Sequence, residues 1–205
     1  MLGSRAVKIL LLALLLAQPL GRPLHYWGAR PATIVTAAAV GEGVAARVTE
    51  VHGVVDRNDL ILRLSYDRLI RDALYLPSGA PVSGRLRAAL YVDGDEDLRT
   101  GWAVAPGDAR GGADYRIDVG VLALGADPDE GIEAEAIVTV SLFELTPEGR
   151  QRNLWRGDHV ANPERLSIRG DAVEIRLPGE MMPVASTARL TLIVEAEAFE
   201  GRLKP

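Results

Sequence analysis

From residue 59 onward, apolar residues recur at every second position in short runs. In Asp59–Tyr66, Leu60, Leu62, Leu64 and Tyr66 share one face. In Arg85–Asp93, Leu86, Ala88, Leu90 and Val92 do so, with Arg85 and Arg87 opposite. In Ala113–Val121, Ala113, Tyr115, Ile117, Val119 and Val121 alternate with Asp114, Arg116 and Asp118. Ala134–Leu142, Val173–Leu177 and Ala188–Ala198 repeat the theme, the last with Leu190, Leu192 and Val194 on one face. A period of two belongs to the β-strand, whose successive side chains point to opposite faces. One apolar and one polar face marks antiparallel sheets packed face to face.

Turn-forming clusters separate the runs: Pro77-Ser78-Gly79, Pro106-Gly107, Pro147-Glu148-Gly149, Arg169-Gly170-Asp171 and Pro178-Gly179. Thr146–Arg150 predicts a hairpin joining Ile137–Leu145 to Gln151–Arg156. Only Arg68–Leu76 has a helical spacing, through Leu69, Ile70, Ala73 and Leu74. The expected fold is all-β: an antiparallel two-sheet β-sandwich, jelly-roll-like, behind an N-terminal signal or anchor helix.

That helix is read from Met1–Leu20. Arg5 and Lys8 precede Ile9–Ala17, an unbroken apolar run. The run suits a secretory signal and is too short for roughly 30 Å of hydrocarbon. No clean small-x-small cleavage pattern follows Ala17, which leaves a retained membrane tether open. Gly21–Pro31 reads as a linker, where Tyr26 and Trp27 would suit a membrane interface. The predicted division is a leader at 1–20, a linker at 21–39 and a sandwich domain at 40–205. The apolar, β-prone Ala32–Val40 admits two readings. It is the domain's own first strand, or it pairs with a neighbour's sheet edge in a cell-surface layer or filament.

Charge narrows the partners. Four basic residues, Arg5, Lys8, Arg22 and Arg30, precede residue 33, where no acidic residue occurs. The remaining chain sets 19 basic against 28 acidic residues, a net charge of about −9. Nucleic acid needs the opposite sign and is not an expected partner. The chain has no cysteine, so neither disulfides nor thiolate chemistry enter.

The densest chemistry is Tyr91–Trp102, Y-V-D-G-D-E-D-L-R-T-G-W. Asp93, Asp95 and Asp97 stand at alternate positions where a strand ends, with Glu96 directed elsewhere. Convergent carboxylates repel unless neutralised. Calcium takes roughly six to eight oxygens at about 2.3–2.6 Å from carboxylates, carbonyls and water. The loop is not an EF-hand: Leu98 replaces the required Gly and Val104 the bidentate Glu. The alternative is a solvated turn in which Asp and Gly bond the local backbone.

With Gly111–Val119 (G-G-A-D-Y-R-I-D-V) and Val173–Pro178 (V-E-I-R-L-P), this loop resembles the family 9 carbohydrate-binding-module-like domains, which belong with DOMON-type sandwiches. The resemblance runs over about residues 40–200. It implies a two-sheet sandwich outside the cytoplasm and a bound divalent cation. It also implies that Asp114 closes the acidic loop, as a ligand or by bonding the Thr100-Gly101 turn. Sugar-binding members stack rings on paired aromatics, for which Trp102 and Trp155 are the candidates here. Haem-binding members use axial Met, His or Lys. His52, His159, Met181 and Met182 read instead as surface or core residues, and haem is not expected.

No G-x-S-x-G, H-E-x-x-H or P-loop occurs, and three histidines leave little for acid–base work. The expected function is a non-catalytic, exported, calcium-stabilised module that binds a carbohydrate or another cell-surface component. It would meet a membrane only through an uncleaved leader.

Overall fold

The computed structural model describes residues 23–36, 47–70, 86–103, 112–124, 135–194 and 197–205. The leader, the turns at Pro77-Ser78-Gly79 and Pro106-Gly107, and the helical spacing beyond Ile70 lie outside them. Among the described residues, no helix is long and apolar enough to cross a membrane.

The alternating runs become strands of two antiparallel sheets. The first sheet has five, in the order β1 (Ile34–Val35), β2 (Val48–Asp56), β3 (Asp59–Tyr66), β9 (Ala172–Leu177) and β8 (Leu166–Arg169). The second has six, in the order β11 (Glu197–Arg202), β10 (Arg189–Val194), β4 (Leu86–Asp93), β5 (Tyr115–Leu124), β6 (Glu135–Leu145) and β7 (Gln151–Asp158). Leu60, Leu62, Leu64, Val173 and Ile175 of the first sheet share one core with Leu90, Val92, Ile117, Val140, Leu142 and Leu190 of the second. This is the expected β-sandwich. Sequestering the apolar face of each strand from water is what holds the sheets together.

β2 does not show the alternation. A bulge between Val48 and Glu50 shifts its register, so Val48 and Val51 both reach the core although they stand three apart. Arg57 and Asn58, both at positive φ (51° and 74°), make the two-residue turn into β3. The Thr146–Arg150 hairpin forms as predicted: the Thr146 amide donates to the Arg150 carbonyl at 3.0 Å, and Gly149 takes φ 78°.

The supposed linker is part of the fold. Trp27 is buried against Val54 and Ile61, on the face of the first sheet away from the core, with Leu24 beside it. Beneath it lies Glu174, only 2% exposed. Its carboxylate accepts the Leu24 amide at 2.7 Å and the Trp27 indole N–H at 3.1 Å. Arg176 donates to the Leu24 carbonyl at 2.7 Å. Leu24 and Trp27 thus cover Ile61 and Glu174, which a domain beginning at residue 40 would leave uncovered. Of the aromatic pair only Tyr26 stays exposed. In the Ala32–Val40 stretch, Ile34 and Val35 pair with Val51 and Glu50 of the same chain. Residues 37–40 lie outside the described ones.

Candidate metal centre

β4 ends at Asp93, where the strand leaves the second sheet. Asp93 is 4% exposed. Its Oδ2 lies 3.5 Å from Arg189 Nη2 of β10, its cross-strand partner. Its Oδ1 is buried and has no hydrogen-bond partner. An orphaned carboxylate oxygen is costly, since burial strips its water without replacing it.

Two further carboxylates close on this oxygen's side chain. Asp95 and Asp114 each offer one oxygen, and with Asp93 the three oxygens lie within 4.8 Å of one another. That spread is about twice a calcium–oxygen distance of roughly 2.4 Å, so one ion can touch all three. Asp114 comes from the segment entering β5. Its Oδ2 accepts the Gly94 amide at 2.8 Å and the Asp95 amide at 3.3 Å. It therefore ties down the start of the acidic loop rather than the Thr100-Gly101 turn. Gly112, at φ 110°, brings this segment against the loop: a Cβ there would sit 3.0 Å from Leu98 Cα and 3.3 Å from Asp93 Oδ2.

The loop itself is built from turns of the Asx kind. Asp95 Oδ1 accepts the Asp97 amide at 2.8 Å, and Asp97 Oδ1 accepts the Arg99 amide at 3.0 Å. The Thr100 hydroxyl reaches Asp95 Oδ2 at 3.1 Å and the Asp97 carbonyl at 2.8 Å. Gly101, at φ 65°, packs on the Ala113 backbone, and Trp102 exchanges backbone hydrogen bonds with Ala113 at 2.8 and 3.2 Å.

Asp97 is not gathered with the other three. Its carboxylate is held by Arg99 through a 2.7 Å ion pair. Glu96, at φ 60°, turns its carboxylate to Arg202 of β11 at 3.3 Å. The alternation that placed Asp93, Asp95 and Asp97 on one side ends where the strand ends. Past Asp93 the chain turns, and backbone hydrogen bonds decide direction.

Electrostatics follow this division. Burial pushes the Asp93 carboxyl above its usual range; Arg189 pulls it back, and Asp114 and Asp95 raise it further. Burial also raises Asp114, against the Gly94 hydrogen bond and with the help of Asp95. Asp97 sits at about 2, because Arg99 bonds it through its side chain and its amide. For Asp93 and Asp114 burial thus outweighs the relief given by Arg189 and by the Glu96, Gly94 and Asp95 amides, while Asp97 is paired with Arg99.

The two tryptophans do not form a platform. Trp102 packs with Tyr91, Ala113 and Leu145, its ring 5.7 Å from that of Tyr91. Tyr91 alternates with Leu90 and Val92, so this cluster lies on the outer face of the second sheet. Trp155 pairs with Leu142 and packs against the core between the sheets, under the Arg165 guanidinium at 5.7 Å. One sheet separates them, and the stacking expectation for this pair fails on that geometry. Of the other residues considered as axial ligands, His52 lies beside Trp27, His159 Nδ1 bonds the Val138 amide, Arg165 donates to Met181 and Met182 is in the core.

Compared with protein-family models, with curated proteins and with solved structures, the chain matches none.

Proposed function

We propose that this protein is a non-catalytic, exported β-sandwich module stabilised by a calcium ion held by Asp93, Asp95 and Asp114. The observation that carries the reading is Asp93, a side chain 4% exposed whose Oδ1 has no hydrogen-bond partner, gathered with Asp95 and Asp114 so that one oxygen of each lies within 4.8 Å of the others. Ligands that are all oxygen, at this spacing, favour a hard cation such as calcium over zinc. The loop's likeness to family 9 carbohydrate-binding-module-like domains supports the same reading, as does the apolar run after Arg5 and Lys8 for export.

A cation that binds only the folded chain stabilises it by RT ln(1 + [L]/Kd), about 2.7 kcal/mol at one hundred times Kd. For a domain of this size the melting midpoint should rise by roughly 5–10 °C. The test is a thermal melt of the purified protein with chelator and then with millimolar calcium. Equal midpoints, with no bound metal by elemental analysis, would sink the proposal.

A further inference from the structure

We infer that the cleft lined by Arg30, His52 and Lys204 binds a small oxyanion, a phosphate or carboxylate group. The cleft shares no residue with the three-carboxylate cluster, and the inference is independent of the metal reading.

Three parts of the chain meet here: the segment that follows Trp27, the middle of β2, and the residues after β11. The space between them is about 270 Å³. That is just below the roughly 300–1,000 Å³ usual for small-ligand sites, so the occupant is small. Two glycines shape the walls. A Cβ at Gly53 would run into the Leu203 side chain, and one at Gly201 into the Thr33 carbonyl. Without side chains at these positions, the stretches around Thr33 and Leu203 close against β11 and β2.

The polar groups of the cleft lack acceptors. Arg30 and Lys204 are both exposed, and neither forms an ion pair with another described residue. Thr33 Oγ1 accepts the Gly53 amide at 3.0 Å, which fixes the hydroxyl and leaves its proton free to donate. His52 meets Glu50 through Nε2 at 3.2 Å, while its Nδ1 is buried without a hydrogen-bond partner. Glu50 is thereby engaged by His52, and the charge of Arg30 and Lys204 stands. With an anion in the cleft, a protonated His52 can donate from both ring nitrogens, to Glu50 and to the ligand.

Charge selects the class of ligand. Beyond residue 32 the chain sums to about −9, so two cations facing one cleft run against the rest of the molecule. A cationic ligand would be repelled, and a neutral one would leave both charges unanswered. A planar guanidinium fork matches the paired oxygens of phosphate or carboxylate, and an ammonium adds a point charge beside it. Trp27 and Pro31 give the cleft an apolar wall for the remainder of an organic anion.

Isothermal titration calorimetry of the purified protein in EGTA tests this, with inorganic phosphate and benzoate as probes against chloride at equal ionic strength. Saturable binding of at least one probe at a single site is expected. Arg30→Gln and Lys204→Gln should each weaken it roughly tenfold, the share of one charge-assisted hydrogen bond. Both side chains are exposed, so each variant should keep the melting midpoint of the parent. Arg152→Gln, at an exposed cation of the other sheet, should leave binding unchanged. Binding of phosphate alone assigns a phosphoryl group, of benzoate alone a carboxylate, and of both an oxyanion of either kind. No saturable binding of either probe overturns the inference. Binding that Arg30→Gln and Lys204→Gln leave intact, or that Arg152→Gln weakens as much as they do, overturns it too.

Discussion

Asp95 is the carboxylate of the cluster most open to solvent, and its substitution separates charge from shape. Asp95→Asn keeps the Asp97 turn acceptor and removes one repelling charge. The metal-free variant should be no less stable than the parent, while the calcium-dependent midpoint shift should fall by about half or more, given one ligand charge lost. Asp97→Ala should instead leave most of that shift, because its carboxylate belongs to Arg99. Glu96→Gln should leave it as well. Melts of the three variants in EGTA and in calcium decide the ranking; an Asp97→Ala response as weak as that of Asp95→Asn would return Asp97 to the ligand set. The acidity of this loop was legible in the sequence, and so was Asp114. That Asp97 stands apart from the other three was not, because the strand's period stops at Asp93 and Asx turns then aim each side chain. The pH response has a definite sign. Asp93 and Asp114 are carboxyls raised in the folded state above the ordinary 3.8. Their ionised forms cost the metal-free fold stability, fully above the raised values and not at all below 3.8. As pH falls from neutral through that window, these two groups stabilise the metal-free protein, while protons displace calcium. Asp97 runs the other way: its contribution is present above 3.8 and is lost as pH falls through about 2. The gap between calcium and EGTA midpoints should therefore narrow as pH falls from about 7 to about 4. A constant gap would show that these carboxyls are not the ligands.

At the scale of elements, most strands could be read from alternation alone, since each buries one face and leaves one wet. β3 departs from it: Ile61, on the outer face, is fully buried. An apolar residue on the polar side of a strand signals a cover, and the cover is the segment carrying Leu24 and Trp27. The cover itself was hidden by its prolines and glycine, which suit a linker equally well. Glu174 gives the same signal more quietly, as a carboxylate on a strand face that water should claim. Both predict a stabilising role for residues otherwise taken as a spacer. Trp27→Ala removes a large buried ring and opens the Glu174 carboxylate. It should cost about 3 kcal/mol, lowering the midpoint by roughly 6–12 °C. A chain beginning at Val40 should lose at least as much relative to one beginning at Gly21. Denaturation of the pairs under matched conditions measures this. An unchanged midpoint in Trp27→Ala would mean that the segment rests on the sheet without holding it.

For the whole molecule, the two sheets separate three aromatic environments that the sequence presents as interchangeable. Trp27 covers the outer face of the first sheet, Trp155 sits at the core between the sheets, and Trp102 lies on the outer face of the second. The topology sends β4 from the core to the acidic loop, and the loop returns through Trp102 to Ala113, one residue before Asp114. Trp102 is thus joined to the three-carboxylate cluster at both ends of a short path, whereas the other two reach it only through packed sheet. Neutralising the three carboxylates should tighten the loop and shift the Trp102–Tyr91 contact, leaving the other indoles in the same surroundings. Calcium should therefore change the intrinsic fluorescence of the protein through one residue. Trp102→Phe should abolish the calcium-dependent change and keep the calcium-dependent midpoint shift, while Trp27→Phe and Trp155→Phe should keep both. A calcium signal that survives in Trp102→Phe and vanishes in Trp155→Phe would place the ion's influence at the inter-sheet core, away from Asp93, Asp95 and Asp114.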